Sequence, residues 1–227
     1  MTKLFLFISF LLLASCTYSQ KLSQVSMLDG AKLSYFSIQT EQNVLIRISD
    51  EGKVLEWGLE VMSERSNYYA PRLQPFLARV EYYDQYSDSS FKGKVKSIGT
   101  CFITYYGANE TEQKRGKPKS FGSLYLDYYS NYDEKSLKGK LKMLGTLSLE
   151  YYRPYENEAY RGKLKSIGST AITYYSAFDD RYNTGKIKTI GAVSYVWYSP
   201  LNHTYLRGGL KTNNYRQVIS GTTYILQ

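Results

Sequence analysis

Five segments of this chain repeat at a fixed spacing of 23 residues, and that period constrains the fold more than any other feature. From Gly93 the chain reads GKVKSIGTCFITYY, from Gly116 GKPKSFGSLYLDYY, and from Gly139 GKLKMLGTLSLEYY. From Gly162 it reads GKLKSIGSTAITYY and from Gly185 GKIKTIGAVSYVWY, with no insertion between units. Ahead of them, Val80-Glu81-Tyr82-Tyr83 shares the Tyr-Tyr column. Behind them, Gly208-Gly209-Leu210-Lys211-Thr212 restates the opening step. Divergent outer units suit a stacked array, because its ends lack a neighbour on one side.

Within a unit the side chains alternate with period two. Cys101, Ile103 and Tyr105 share one face of a strand, and Phe102, Thr104 and Tyr106 the other. The same inward column holds Leu124, Leu126, Tyr128, then Leu147, Leu149, Tyr151, then Val193, Tyr195, Trp197, whereas the opposite face mixes in Asp127, Glu150 and Thr173. One buried and one partly wet face marks an antiparallel sheet. The 25 tyrosines favour strands as well. The preceding Gly-Lys-x-Lys step also alternates, Lys94 and Lys96 against Val95, giving a second short strand. Gly99, Gly122, Gly145, Gly168 and Gly191 stand between the two strands and mark a tight turn or a glycine bulge. A turn, hence one hairpin per unit, is favoured over one long bulged strand. The rest of each unit is a polar loop of about nine residues with an aromatic in its third position in Tyr132, Tyr155 and Phe178.

The expected fold is all-β: an array of antiparallel β-hairpin repeats, about six units of 23 residues, forming an extended twisted sheet. Residues 70–207 carry the repeats and 208–227 a truncated repeat with a C-terminal cap. Residues 20–69 are read as an N-terminal β cap, with a hairpin around Ser49-Asp50-Glu51-Gly52.

The first residues read as an export signal: Lys3, then an apolar run from Leu4 to Leu13, then small and polar residues. Two processing readings stay open. Leu13-Ala14-Ser15-Cys16 matches a lipobox, with 1–15 removed and Cys16 lipidated; Thr17-Tyr18-Ser19 suits ordinary cleavage after residue 19. Either way the chain is expected in the periplasm or cell envelope, touching membrane only through such an anchor. Cys101 is the one other cysteine, so no intramolecular disulfide is expected.

The period of 23, the recurrent glycines and the strand–turn–strand layout over roughly residues 70–212 resemble the MORN class of repeats, including forms in bacterial exported proteins. That signature has more glycines and a Tyr-x-Gly step, where these units carry Gly-Lys-x-Lys and Tyr-Tyr. The likeness implies a hairpin array and carries over no ligand.

Two columns bear on function. Lys94 and Lys96, Lys117 and Lys119, Lys140 and Lys142, Lys163 and Lys165, and Lys186 and Lys188 would form a basic stripe on the wetter face, with Tyr106, Tyr129, Tyr152 and Tyr175 beside it. Cations beside aromatic rings suit an anionic glycan or an envelope partner protein, and the net charge of +9 agrees. Nucleic acid is not expected for an exported chain. The bland reading is that lysines solvate the strands and deter edge-to-edge pairing. The loop acids Glu110, Asp133, Glu156 and Asp179 could pair with them, and their spacing is too sparse for a calcium ladder. A lone His203 and a core-facing Cys101 make no catalytic or zinc arrangement, so neither enzyme activity, metal nor cofactor is expected. A non-enzymatic binding protein of the envelope leads, ahead of a self-assembling structural protein and an outer-membrane barrel.

Overall fold

The computed structural model describes residues 19–61, 71–199, 201, 208–212 and 214–227. The export segment 1–18 with Cys16, the stretch 62–70 and His203 lie outside the described residues. Every regular element among the described residues is a strand. In chain order these are β1 (Lys21–Leu28), β2 (Lys32–Gln39), β3 (Leu45–Ile48), β4 (Val54–Glu60), β5 (Leu73–Gln74) and β6 (Val80–Tyr82). The hairpin strands follow as β7 (Val95–Ile98), β8 (Cys101–Tyr105), β9 (Pro118–Phe121), β10 (Leu124–Tyr128), β11 (Leu141–Leu144) and β12 (Leu147–Tyr151). The last are β13 (Leu164–Ile167), β14 (Thr170–Tyr174), β15 (Ile187–Ile190), β16 (Val193–Ser194), β17 (Arg216–Ile219) and β18 (Thr222–Leu226).

Strands β6 to β16 make an eleven-stranded antiparallel meander, each pairing with its neighbours in sequence. The glycine between the two strands of a unit forms a turn. Ile98 pairs with Cys101 across Gly99-Thr100, and Gly99 has φ 56°. A two-residue hairpin with glycine first and only that residue at positive φ has the type II′ pattern, whose twist matches that of the strands. The equivalent glycines have φ between 53° and 60°.

A bulge does occur, but elsewhere in the unit. Thr104 pairs with Ser120 and Tyr105 with Pro118, so Lys119 is left as the extra residue. Lys96, Lys142, Lys165 and Lys188 are skipped in the same way. The bulge lets residues three apart point inward together, and Val95 and Ile98 are both buried.

The remaining strands form a second, seven-stranded sheet in the order β17-β18-β1-β2-β3-β4-β5, with β1 and β18 parallel. The N-terminal strands β1 to β5 thus lie in a sheet that packs on the face of the array. Residues 208–212 still belong to the array, since Leu210 bridges to Trp197. Residues 216–226 leave it and join the N-terminal strands. One continuous core lies between the layers, with Val25, Met27, Phe36, Ile38, Ile46 and Ile48 facing Ile98, Ile103, Leu126, Leu149, Ile172 and Ile190.

The layers are also pegged at both strand ends. On the tight-turn edge, Thr100 N donates to Gln42 Oε1 at 3.1 Å and Ser123 N to Gln20 Oε1 at 2.9 Å. On the loop edge, Leu141 N donates to Asp50 O and Ile187 N to Gly30 O, each at 2.7 Å. Ends of the array strands thus bond to the ends of the facing strands at both edges of a two-sheet sandwich. Neither sheet closes on itself among the described residues. Among the described residues the longest strands have eight residues, short of the roughly 9–11 that a membrane-spanning strand needs.

Candidate functional site

The two lysines of each unit have different surroundings. The first reaches across to the next unit: Lys140 Nζ donates to Gly162 O at 3.1 Å, Lys163 to Gly185 O at 2.5 Å and Lys186 to Gly208 O at 2.5 Å. Lys94 and Lys117 make the same bond to Gly116 O and Gly139 O. Each of these ammonium groups lies over the ring of its own unit's first aromatic, from 4.4 Å for Lys186 on Trp197 to 5.5 Å for Lys94 on Tyr105. Burial depresses the pKa of Lys94, Lys117 and Lys186 and brings Lys163 down to about 8, with Lys32 adding repulsion. The Gly of the Gly-Lys step has φ between 70° and 82° in all five units, and in some the lysine adds a second constraint. A Cβ on Gly139 would sit 2.9 Å from Lys117 Nζ, and one on Gly185 2.9 Å from Lys163 Nζ.

The second lysine, thrown outward by the bulge, covers the second tyrosine of the preceding unit. Lys119 lies over Tyr106 at 5.7 Å, Lys142 over Tyr129 at 5.3 Å, Lys165 over Tyr152 at 5.1 Å and Lys188 over Tyr175 at 5.8 Å. Three of these lysines pair with loop acids: Lys142 with Asp133 at 3.6 Å, Lys165 with Glu156 at 2.9 Å and Lys188 with Asp179 at 2.5 Å. Lys96 approaches Glu81 at 4.0 Å. The bond to the acid raises the pKa of Lys165 and of Lys188, and it holds Asp179 well below the usual carboxylate range.

The tyrosines serve the ladder too. Tyr105, Tyr128 and Tyr174, each the first of its pair, donate to the carbonyl ten residues earlier, on Val95, Pro118 and Leu164, at 2.8–2.9 Å. The second crosses to the next unit: Tyr106 to Leu126 O at 2.9 Å, Tyr129 to Leu149 O at 2.9 Å, Tyr152 to Ile172 O at 3.0 Å and Tyr175 to Tyr195 O at 2.9 Å. Tyr106 and Tyr129 are buried, and Tyr152 and Tyr175 half-buried, so the expectation of tyrosines open beside a lysine stripe is corrected. The loop folds back over them. Leu137 is buried, and Tyr160 packs on Tyr152 with ring centroids 4.5 Å apart.

What the structure does leave open is a cleft of about 430 Å³ between the sheets at the first two full units. Trp57, Val54, Val95, Tyr105 and Pro118 supply apolar wall; Lys53, Lys94, Arg115 and Lys117 supply four cations against the single carboxylate of Glu51. Only Lys94 and Lys117 come from the predicted columns. Each ammonium gives one proton to its carbonyl partner and has two further protons to donate. Lys53 and Arg115 are exposed and make no ion pair among the described residues. The volume and the mixed lining fall within the range of small-molecule sites. Trp57 and Lys53 have no counterpart in the repeat. Nothing in the sequence near them signals that β4 lies over these units.

Cys101 is buried with its thiol pushed up to about 11 by desolvation, and no group of three or more His, Cys, Asp or Glu arranged for a metal occurs among the described residues. Comparison with protein-family models, curated proteins and solved structures finds no match.

Proposed function

We propose that this chain is a non-enzymatic binding protein of the cell envelope that holds an anionic, ring-bearing segment of a glycan in the cleft between its sheets. The observation that carries this reading is the cleft's lining, four cations to one carboxylate beside the aromatic side chains of Trp57 and Tyr105. Cations fix a charged group, and aromatic walls take the apolar face of a ring. Lys53 and Arg115 are the residues to vary, because Lys94 and Lys117 also tie units together.

Titration calorimetry with uronic-acid oligosaccharides and uncharged analogues tests the proposal. Binding should favour the charged ligand and weaken with added salt. It should fall at least about tenfold in the Lys53→Ala, Arg115→Ala double variant. Equal affinity for the uncharged analogue, or no change in the double variant, would refute it.

A further inference from the structure

The loop tips carry a second feature that neither the core nor the cleft uses. The third loop residue is Tyr132, Tyr155 or Phe178 in three consecutive units, exposed to 100%, 80% and 97%. Tyr86 holds the same place earlier and is 87% exposed, with Asn109 interrupting the column between them. Rings this open add almost nothing to folding, yet the turns that bear them are tightly specified.

Asp133 Oδ2 accepts from Ser130 N at 2.7 Å, and Asp133 N closes the turn onto Ser130 O at 3.2 Å. Asp179 does the same with Ser176 at 3.1 and 3.2 Å, and Glu156 with Arg153. Lys142, Lys165 and Lys188 then anchor those acids from the next strand. Each ring therefore stands on a fixed turn, and little backbone freedom is left to lose on binding.

Two strands per unit at about 4.8 Å place successive tips about 10 Å apart along the array. That leaves isolated rings, not the contiguous apolar surface that a bilayer or a protein core would cover. The anchored acids are already neutralised by lysine, so they add no anionic field of their own at the tips. A repeating, uncharged chain with one apolar face per step fits. The advance of a disaccharide in an extended β-linked polysaccharide is close to the tip spacing, and sugar C–H faces complement the negative faces of aromatic rings.

We infer that Tyr132, Tyr155 and Phe178 form a contact surface for a linear, uncharged β-linked polysaccharide, independent of the cleft. Affinity electrophoresis of the full chain through gels containing hydroxyethylcellulose, with pull-down on chitin and cellulose, tests it. Co-sedimentation with phosphatidylglycerol–phosphatidylcholine vesicles runs in parallel. The native chain should be retarded or retained by at least one of these polysaccharides. The Tyr132→Ala, Tyr155→Ala, Phe178→Ala variant should bind at least about tenfold more weakly with an unchanged melting temperature. The Lys53→Ala, Arg115→Ala variant should bind like the native chain, so failure here and failure of the cleft remain separable. No retention of the native chain, or undiminished retention of the triple variant, would overturn the inference. So would vesicle binding that depends on the rings without polysaccharide retention, which would assign them to lipid.

Discussion

At the scale of residues, the repeated Tyr-Tyr pair divides its labour. The first hydroxyl ties the two strands of its own unit, and the second ties one unit to the next. The first column contains its own control. Tyr174 and Tyr151 are equally buried, but Tyr174 donates to Leu164 O, whereas the Tyr151 hydroxyl has no partner among the described residues. Tyr174→Phe should therefore lower stability by about 1–2 kcal/mol, since it orphans a buried carbonyl. Tyr151→Phe removes an unpaired hydroxyl and should change stability by less than about 0.5 kcal/mol, or raise it. Urea denaturation of both variants checks the difference. Equal losses would mean that the bond to Leu164 O contributes nothing beyond what removing any buried hydroxyl costs.

At the scale of elements, the hairpin depends on a glycine at positive φ. Gly168 has φ 53°, and a Cβ there meets only Leu147 Cδ2, at 3.1 Å. Gly168→Ala should cost about 1–2 kcal/mol, mostly as backbone strain. A change of only a few tenths in the denaturation midpoint energy would show that the turn can switch type without penalty. The turn was readable in the sequence, because a glycine that breaks strand parity between two alternating runs has few other uses. The bulge was not. Lys94 and Lys96 against Val95 reads as plain alternation, and only the inward placement of both Val95 and Ile98 reveals the extra residue. The tyrosine surroundings were hidden for a related reason. Tyr106 and Tyr129 lie on the face that alternation assigns to solvent, and the returning loop covers them. Pairing of lysines with loop acids was anticipated, because both recur at the same period.

At the scale of the whole molecule, the repeat is not free to behave as a modular array. In an open solenoid each unit touches only its neighbours, and loss of one shortens the stack. Here the facing sheet pegs named units: Gln20 to Ser123, Asp50 to Leu141, Gly30 to Ile187, and Ser220 to Thr170. Deleting residues 139–161, one full period, would keep every hairpin pattern yet misplace all later pegs by two strands, or about 10 Å. Such a variant should lose most of its cooperative unfolding transition by calorimetry. A sharp transition near the native midpoint would show the layers to be independent. The pegs were beyond reading in the sequence. Residues 20–60 carry strand patterns, but which units they would face depends on packing between segments more than a hundred positions apart, as in Gln20 with Ser123.

The parallel pairing of β1 with β18 also bears on how the chain matures. A strand near the start cannot complete its sheet until the last strand exists, so a chain emerging N-terminus first stays open on that side throughout its synthesis. The local hairpins can form early, whereas closure of the sandwich waits for the most distant contact in the molecule, and such contacts fold slowly. A polypeptide whose sheet closes only when its first and last strands meet stays unlocked until the whole chain is available.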